Sequence, residues 1–378
     1  MPVTQFWIVS ICLLFVLCTV FAGILIPLIL LVSFRKKLFD VPDGRKIHQD
    51  VIPRLGGAAF TPAVFLSMAM LLGLHLIRGR EDILVEAGSD MPALSFGYCT
   101  VMALYLLGIA DDLIGVRYRI KFAVQILCGI MLVAGGMEIQ SLHGVLGIHA
   151  LPAWTGYALT VLTVVFIINA VNLIDGIDGL ASGLSGLALI LYGLAFFALQ
   201  KYIYAMLSFA MLGALVPFFC YNVFGNAKRG KKIFMGDTGS LTTGMVLCFL
   251  GIKLLLCAPD FCTVAFHPAV LAFSPLLIPC FDVVRLFVYR IRHGKSPFMP
   301  DKNHIHHKLL ATGMSQRIAM LTILLASLVF TLCNVLLSHW VNVNLLLAGD
   351  ALVWIAANMW LTRKMKQRNP NPAVDKLL

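Results

Sequence analysis

Long apolar runs, each interrupted by a short polar or glycine-containing stretch, recur along almost the whole chain. Eleven of them, at residues 6–33, 56–77, 93–110, 120–137, 155–174, 182–199, 203–222, 240–258, 267–289, 317–337 and 345–362, approach the roughly 20 residues that a helix needs to cross a bilayer. The pattern predicts an all-α polytopic integral membrane protein with about 11 transmembrane helices. Residues 1–365 read as a single transmembrane domain, and residues 366–378 as a disordered Asn- and Pro-rich tail. Residues 1–33 lack a basic start and a small-residue cleavage site, so they read as an anchor rather than a removable signal. Pro275 and Pro279 predict a break in the ninth run, and Gly144 with Gly147 a small hairpin in segment 138–154.

Composition agrees with that pattern: 60% of residues are hydrophobic and 12% charged, against about 25% charged in a soluble domain. The basic residues add an orientation. All Lys and Arg except Arg78, Arg80, Lys201 and Lys253 fall in segments 35–54, 117–121, 228–232, 285–317 and 363–376. Basic residues accumulate in cytoplasmic loops. This places the N-terminus outside and the C-terminus in the cytoplasm, which requires an odd number of spans. The net charge of +11 is thus spread over five separate segments, unlike a nucleic-acid-binding domain. Nine of the ten cysteines lie in apolar runs and none forms a Cys-x-x-Cys pair, so they read as packing residues.

The few carboxylates carry the chemistry, because an acid in or beside hydrocarbon is costly unless paired. Asp111 and Asp112 close one run, followed by Arg117, Arg119 and Lys121. Adjacent residues on a helix point about 100° apart, so one acid can face a ligand while its neighbour bonds a helix terminus or a basic side chain. Asn169, Asn172, Asp175 and Asp178 close another run, where Gly176 and Gly179 predict that the helix ends near Asp175. Asn222, the basic stretch 228–232 and Phe234-Met-Gly-Asp237-Thr-Gly-Ser240 lead into a further run, with Thr238 or Ser240 as its cap. Before the first of these, Asp43-Gly-Arg45-Lys46-Ile-His48 and Pro53-Arg-Leu-Gly-Gly57 supply phosphate donors and close backbone approach. After the last, Ser296-Pro-Phe-Met-Pro-Asp301 leads to His304-Ile-His306-His307. These histidines fit either a transition metal or phosphate and sugar contact; Arg292, Lys302 and Lys308 nearby favour an anion.

Taken in order over residues 35 to 310, these motifs resemble the polyprenyl-phosphate N-acetylhexosamine-1-phosphate transferases. Within them the bacterial undecaprenyl-phosphate α-N-acetylglucosaminyl 1-phosphate transferase branch is the most similar. The sister branch that transfers phospho-N-acetylmuramoyl-pentapeptide has three successive histidines where this chain has His304-Ile-His-His. The resemblance implies a single catalytic domain in the bacterial inner membrane with its site on the cytoplasmic face. It implies transfer of N-acetylglucosamine 1-phosphate from UDP-N-acetylglucosamine to undecaprenyl phosphate, releasing UMP, as the first membrane step of a cell-envelope polysaccharide. It also implies Mg²⁺, with Mn²⁺ able to substitute.

Resemblance and phosphoryl-transfer chemistry together assign roles. Asp237 is the main metal ligand, Asp112 supports the metal or diphosphate, and Asp111 orients the lipid phosphate. Arg45, Lys46, His48, Lys121, Asn172, Asp175, Asp178, Asn222, Arg292, His304, His306 and His307 contact substrate. The acceptor's chain should enter sideways through an apolar groove, with Phe218, Phe219 and the Phe281–Phe287 stretch as candidate liners. Another UDP-N-acetylhexosamine donor remains open, as does a homo-oligomer. The rival from a different class is a secondary transporter of an anionic solute; such proteins place charges near the midplane, often in repeated halves. Here the acids gather at the ends of runs and no repeat is visible.

Overall fold

In the computed structural model the described residues are 3–38, 52–88, 90–257, 266–296 and 303–368. They form fourteen α-helices: α1 (Val3–Lys36), α2 (Phe60–Ile77), α3 (Asp82–Gly88), α4 (Met91–Ile114), α5 (Tyr118–Ala134), α6 (Ala153–Ile174), α7 (Leu180–Ala198), α8 (Tyr202–Val223), α9 (Gly236–Leu256), α10 (Pro268–Phe273), α11 (Leu277–Arg292), α12 (Ile305–Ala311), α13 (Gln316–Leu337) and α14 (Val343–Arg368). No strand occurs among the described residues. Segment 138–154 therefore holds no β-hairpin. It carries instead a 3₁₀ turn, Val145–Gly147, with left-handed backbone at His143, Gly144, Leu146 and Gly147.

Ten spans among the described residues are long and apolar enough to cross a membrane, and the chain is an all-α polytopic membrane protein. The remaining expected span, 120–137, forms α5, whose 17 residues measure about 26 Å against a hydrocarbon core of about 30 Å. The ninth run is broken as its prolines predict: α10 gives way to a 3₁₀ turn, Ser274–Leu276, containing Pro275, before α11 begins. α14 continues helical to Arg368, past the start of the expected tail, and the rest of that tail lies outside the described residues.

α9 is the axis of the molecule. Nearly all of it is buried, with α4, α6, α7 and α10 packed around it. Its sequence permits this because Gly239, Ser240, Thr242, Thr243, Gly244 and Gly251 are small, and small residues let helix backbones approach closely in a membrane. A Cβ added to Gly57 would sit 2.0 Å from the Cα of Gly239, and one added to Gly108 of α4 would sit 2.4 Å from the Cα of Thr238. Backbone meets backbone at the start of α9. The segment before α2 is tied there as well: Gly56 N donates to Phe234 O at 2.9 Å, Gly57 N to Met235 O at 2.8 Å and Phe234 N to Pro53 O at 2.8 Å.

The far end of α9 has its own ionic lock. Lys253 pairs with Asp90 at 2.8 Å, Tyr204 donates to the same carboxylate at 2.9 Å, and the Lys253 ammonium lies 4.9 Å from the Tyr204 ring centre. A charged lysine within an apolar run is explained by these partners. Lys253 stands 16 residues from Asp237, about 24 Å along the helix.

Candidate active site

α4 ends in Asp111 and Asp112, and Gly115, at φ +72°, reverses the chain so that α5 starts beside them. Asp111 uses both oxygens in that reversal. Its Oδ1 accepts from Val116 N at 2.7 Å, and its Oδ2 accepts from Lys121 Nζ at 2.5 Å. The same ammonium also donates to Asp237 Oδ2. One cation therefore bridges two carboxylates that sequence separates by 126 residues.

Asp112 points the other way. Its Oδ1 accepts from Asp237 N at 2.8 Å, and its Oδ2 accepts from Thr238 N at 3.0 Å and from Thr238 Oγ1 at 2.6 Å. An N-terminal helix turn leaves backbone donors without intrahelical partners, and Asp112 satisfies two of them from a neighbouring helix. The cap of α9 is thus neither Thr238 nor Ser240. Both oxygens are hydrogen-bonded, so Asp112 has the geometry of a staple that fixes Asp237; its Oδ1 accepts a single hydrogen bond and keeps a lone pair for the metal-supporting role expected of it. Gly236 makes the approach possible. Its φ is +73°, and a Cβ there would meet Arg54 O at 1.9 Å and Asp112 Oδ2 at 2.6 Å.

α6 ends where the glycines predict, with Asp175 at its C-cap, and Gly179 at φ +77° starts α7. Asn172 Nδ2 donates to Ser240 Oγ at 2.8 Å and to Asp237 Oδ1 at 3.3 Å. Asn172 thereby joins the Asp111, Lys121 and Asp237 cluster. Asp178 pairs with Lys232 at 2.6 Å. Asp175 is pushed up to about 7 by burial, then by the negative charges of Asp237 and Asp178, with Arg54 opposing. Asn222 does something else. Its Oδ1 accepts from Gly179 N at 2.6 Å and its Nδ2 donates to Ile233 O at 2.9 Å, so it stitches the turn to the segment before α9.

The histidines approach this turn from the opposite side. His306 is buried, neither ring nitrogen has a hydrogen-bond partner among the described residues, and a Cβ on Gly176 would lie 2.1 Å from its Nε2. Burial, with His307 and His304 beside it, pulls the His306 imidazole down to about 3, so it is neutral at physiological pH. His304 is held differently: its Nδ1 lies 2.8 Å from Asp282 Oδ2, and its ring stacks on His306 with centres 5.5 Å apart. His307 lies against His306 at 4.2 Å. Asp282 and Arg285 pair at 2.9 Å, as their spacing on one helix suggests.

Asp111, Asp112, Lys121, Asn172 and Asp237 are therefore one hydrogen-bonded cluster, with Asp175, Asp178 and the histidines around it. Arg292 is exposed at the end of α11. Arg45, Lys46 and His48 lie outside the described residues. Three contributors escaped the sequence reading of the site: Lys232 and Ser240 through their partners, and Asp282 as the anchor of His304. Asp282 had a signal, since a carboxylate within an apolar span needs polar partners.

A large apolar groove of about 720 Å³ opens between α2 and α4, lined among others by Phe65, Tyr98, Val101, Tyr105, Val246 and Phe249. None of the expected liners belongs to it. Phe218 packs 5.2 Å from Phe60 in the core, and Phe281 lies 6.2 Å from Trp354. On α4 the stripe through Tyr98 and Tyr105 continues to Asp112, not Asp111. The groove thus meets the stapled side of the cluster, with α4 between it and Lys121.

The family model for glycosyl transferase family 4 matches residues 94–255, which run from α4 to the end of α9. The undecaprenyl-phosphate alpha-N-acetylglucosaminyl 1-phosphate transferase of Salmonella typhi is 34% identical over 309 residues, 81% of this chain and 78% of that protein. The proteins of the same name from Yersinia pestis and Escherichia coli (strain K12) are 30% identical over 334 residues (85% and 84%) and 32% identical over 308 residues (80% and 78%). Likeness of this depth over most of both chains places the lysine-bridged aspartates on a shared scaffold, and the chain belongs to glycosyl transferase family 4.

Proposed function

We propose that this protein transfers N-acetylglucosamine 1-phosphate from UDP-N-acetylglucosamine to undecaprenyl phosphate, yielding undecaprenyl-diphospho-N-acetylglucosamine and UMP. The observation that carries this reading is the convergence of Asp111 and Asp237 on one cation at the junction of three helix ends, in a chain whose relatives bear that activity in their names.

An oxygen of the lipid phosphate forms a bond to the β-phosphorus of the donor, and the bond from that phosphorus to the bridging oxygen breaks. UMP leaves with the electron pair. A phosphate monoester has a second pKa of about 6, so the acceptor is largely dianionic at pH 7 and needs orientation more than deprotonation. Asp111, fixed by Val116 N and Lys121, suits that orienting role. Lys121 stands where an ammonium can pass from carboxylates to phosphate oxygens. Asn172 holds Asp237 in place, and the Asp175–Gly179 turn with its facing histidines forms the wall for the nucleotide.

The donor set fits a hard divalent ion. Two carboxylate oxygens already share one cation, and Mg²⁺ keeps several waters and needs only one or two carboxylates. Asp237 and Asp111 would hold it, with Asp112 fixing the Asp237 backbone beside them, and the ion would neutralise charge spreading over the transferred phosphoryl group.

Orientation follows from the same geometry. α4 ends, α5 begins and α6 ends at the cluster, so α5 with the segment after it must reach the opposite face before α6 returns. Eleven crossings would set the two termini on opposite faces, and the basic segments support the reading that the C-terminus and the site face the cytoplasm of a bacterial inner membrane. The transporter reading loses support here, because the ionic groups lie at the two ends of α9 rather than at its middle.

The test is UMP release by the purified protein with undecaprenyl phosphate and a panel of UDP-N-acetylhexosamines. UMP formation with UDP-N-acetylglucosamine, dependent on both acceptor and Mg²⁺, is expected. Preference for a different N-acetylhexosamine would overturn the donor, and release without acceptor would point to a covalent aspartyl phosphate instead.

A further inference from the structure

α12 is clamped at both ends, and the second clamp comes from the C-terminal helix. At its start, Asp282 accepts from Ile305 N at 3.1 Å and bonds His304 at 2.8 Å. At its end stands Lys308, one residue after His307 and two after His306. Its place in the sequence puts it among the anion-binding cations. The structure turns it away from them: Lys308 is 6% exposed, and its Nζ donates to Thr362 Oγ1 at 3.0 Å and to Asn358 Oδ1 at 3.4 Å, both on α14.

α14 is itself well anchored. Asn334 of α13 donates to Asp350 Oδ2 at 2.7 Å, and Asn344 exchanges hydrogen bonds with Gly144 O at 2.8 Å and Leu146 N at 2.6 Å. Asn358 is fixed in turn by its own bond to Trp354 O at 3.0 Å.

A buried ammonium whose hydrogen bonds among the described residues go to neutral oxygens is an expensive way to pack two helices, since an apolar residue of similar volume would do it without desolvating a charge. What directional bonds add is register. They fix the rotation of α12 about its axis, and with it the direction in which His306 and His307 point. Among the described residues the His306 ring has no hydrogen-bond partner to hold it, yet it is pressed against Gly176. Its position has to be set by the helix that carries it.

We propose that Asn358 and Thr362 of α14, acting through Lys308, are positioning residues that seat His306 and His307 against the Asp175–Gly179 turn. The consequence for catalysis rests on the reading that this turn and these histidines meet the donor nucleotide. The family model stops at residue 255, so this strut belongs to the part of the chain that the shared motif does not cover.

The experiment uses the full chain in lipid nanodiscs with Thr362→Val, Asn358→Leu and Lys308→Met, and Thr362→Ser as the conservative control. Two readouts are taken: the rate of diethyl pyrocarbonate labelling of His306, followed by peptide mass spectrometry, and kcat with separate KM values for UDP-N-acetylglucosamine and undecaprenyl phosphate. In the first three variants His306 labelling and the donor KM should each rise roughly 10-fold, the scale of one lost hydrogen bond to a charged group. The acceptor KM should stay put, and Thr362→Ser should behave as the parent. Unchanged labelling would overturn the proposal, as would a parallel loss in kcat and both KM values. Faster labelling with an unmoved donor KM would uphold the seating and remove the histidines from the donor site. A parent protein inactive on UDP-N-acetylglucosamine, with labelling still responsive, would locate the failure in the reaction and not in the strut.

Discussion

The two ends of α9 each carry a lysine on a carboxylate, and only one of them looks built for chemistry. At the Lys253 end the charges balance: Asp90 has Lys253 and a tyrosine hydroxyl, with its partners fixed on α8 and α9. At the Asp237 end the described residues bring Asp111, Asp112, Asp175, Asp178 and Asp237 together, with Lys121 and Lys232 paired to three of them and Arg54 beside Asp175. A partly buried ion pair that is matched one to one locks helices together. A cluster with more carboxylates than cationic side chains among the described residues is where the proposed divalent ion would add the missing positive charge. The comparison teaches that stoichiometry of charge, rather than presence of charge, separates a site from a lock in this membrane protein.

The sharpest way to break the comparison is to neutralise one aspartate at each end. Asp237→Asn should lower kcat by 10²-fold or more, a typical loss for removing one electrostatic element of a transition-state site, with the folded protein intact by size-exclusion chromatography. Asp90→Asn should leave kcat within about threefold, because Asp90 lies roughly 24 Å from the cluster. Stability should show the reverse order. Asp90→Leu leaves Lys253 without its carboxylate and should cost about 3 kcal/mol in a thermal-unfolding assay, the low end for breaking a buried pair.

A smaller effect is expected where the site end does structural work. Asp112→Ala removes the cap of α9 and should destabilise by roughly 1 to 2 kcal/mol, and it should raise the labelling of nearby backbone amides in hydrogen exchange. If Asp112→Ala abolished metal binding while leaving those amides protected, Asp112 would be a ligand and not a staple.

The smallest effect concerns pH. Asp175 is raised from the usual carboxylate range to about 7, by burial and by neighbouring Asp237 and Asp178. An acid that holds its proton more tightly when folded stabilises the fold below its unfolded pKa, and that contribution is lost as pH rises through about 7. Through Asp175 the ligand-free protein should lose stability from about pH 4 to pH 7, and Asp175→Asn should remove that component of the slope. His306, pulled down to about 3, works the other way: the unfolded imidazole takes up a proton below about 6.5, so its contribution is present above that pH and lost as pH falls towards 3.

Much of this was legible because it is local. Span length and apolar composition give the helices, Pro275 and Pro279 give the break before α11, and a 100° step between neighbours gives Asp111 and Asp112 different duties. What the sequence hid is pairing across distance. Nothing near Asp112 says that it caps a helix starting more than 120 residues later, and nothing near Lys308 says that it turns towards α14. Asn222 sits in a polar motif and reads as a binder, yet its amide is spent on Gly179 and Ile233. The groove between α2 and α4 is lined by residues other than the expected aromatics, because residue type does not say which face of a helix lacks a neighbour, and Phe218 packs on Phe60.

The proposed uptake of a divalent cation through Asp111 and Asp237, at the anion-rich end of α9, is open to direct measurement. Mn²⁺ binding followed by electron paramagnetic resonance, on the purified protein and on Asp237→Asn, Asp111→Asn and Asp90→Asn, tests it directly. The account predicts saturable binding that weakens sharply in the first two variants and is unchanged in the third. Equal binding by all four proteins would contradict it.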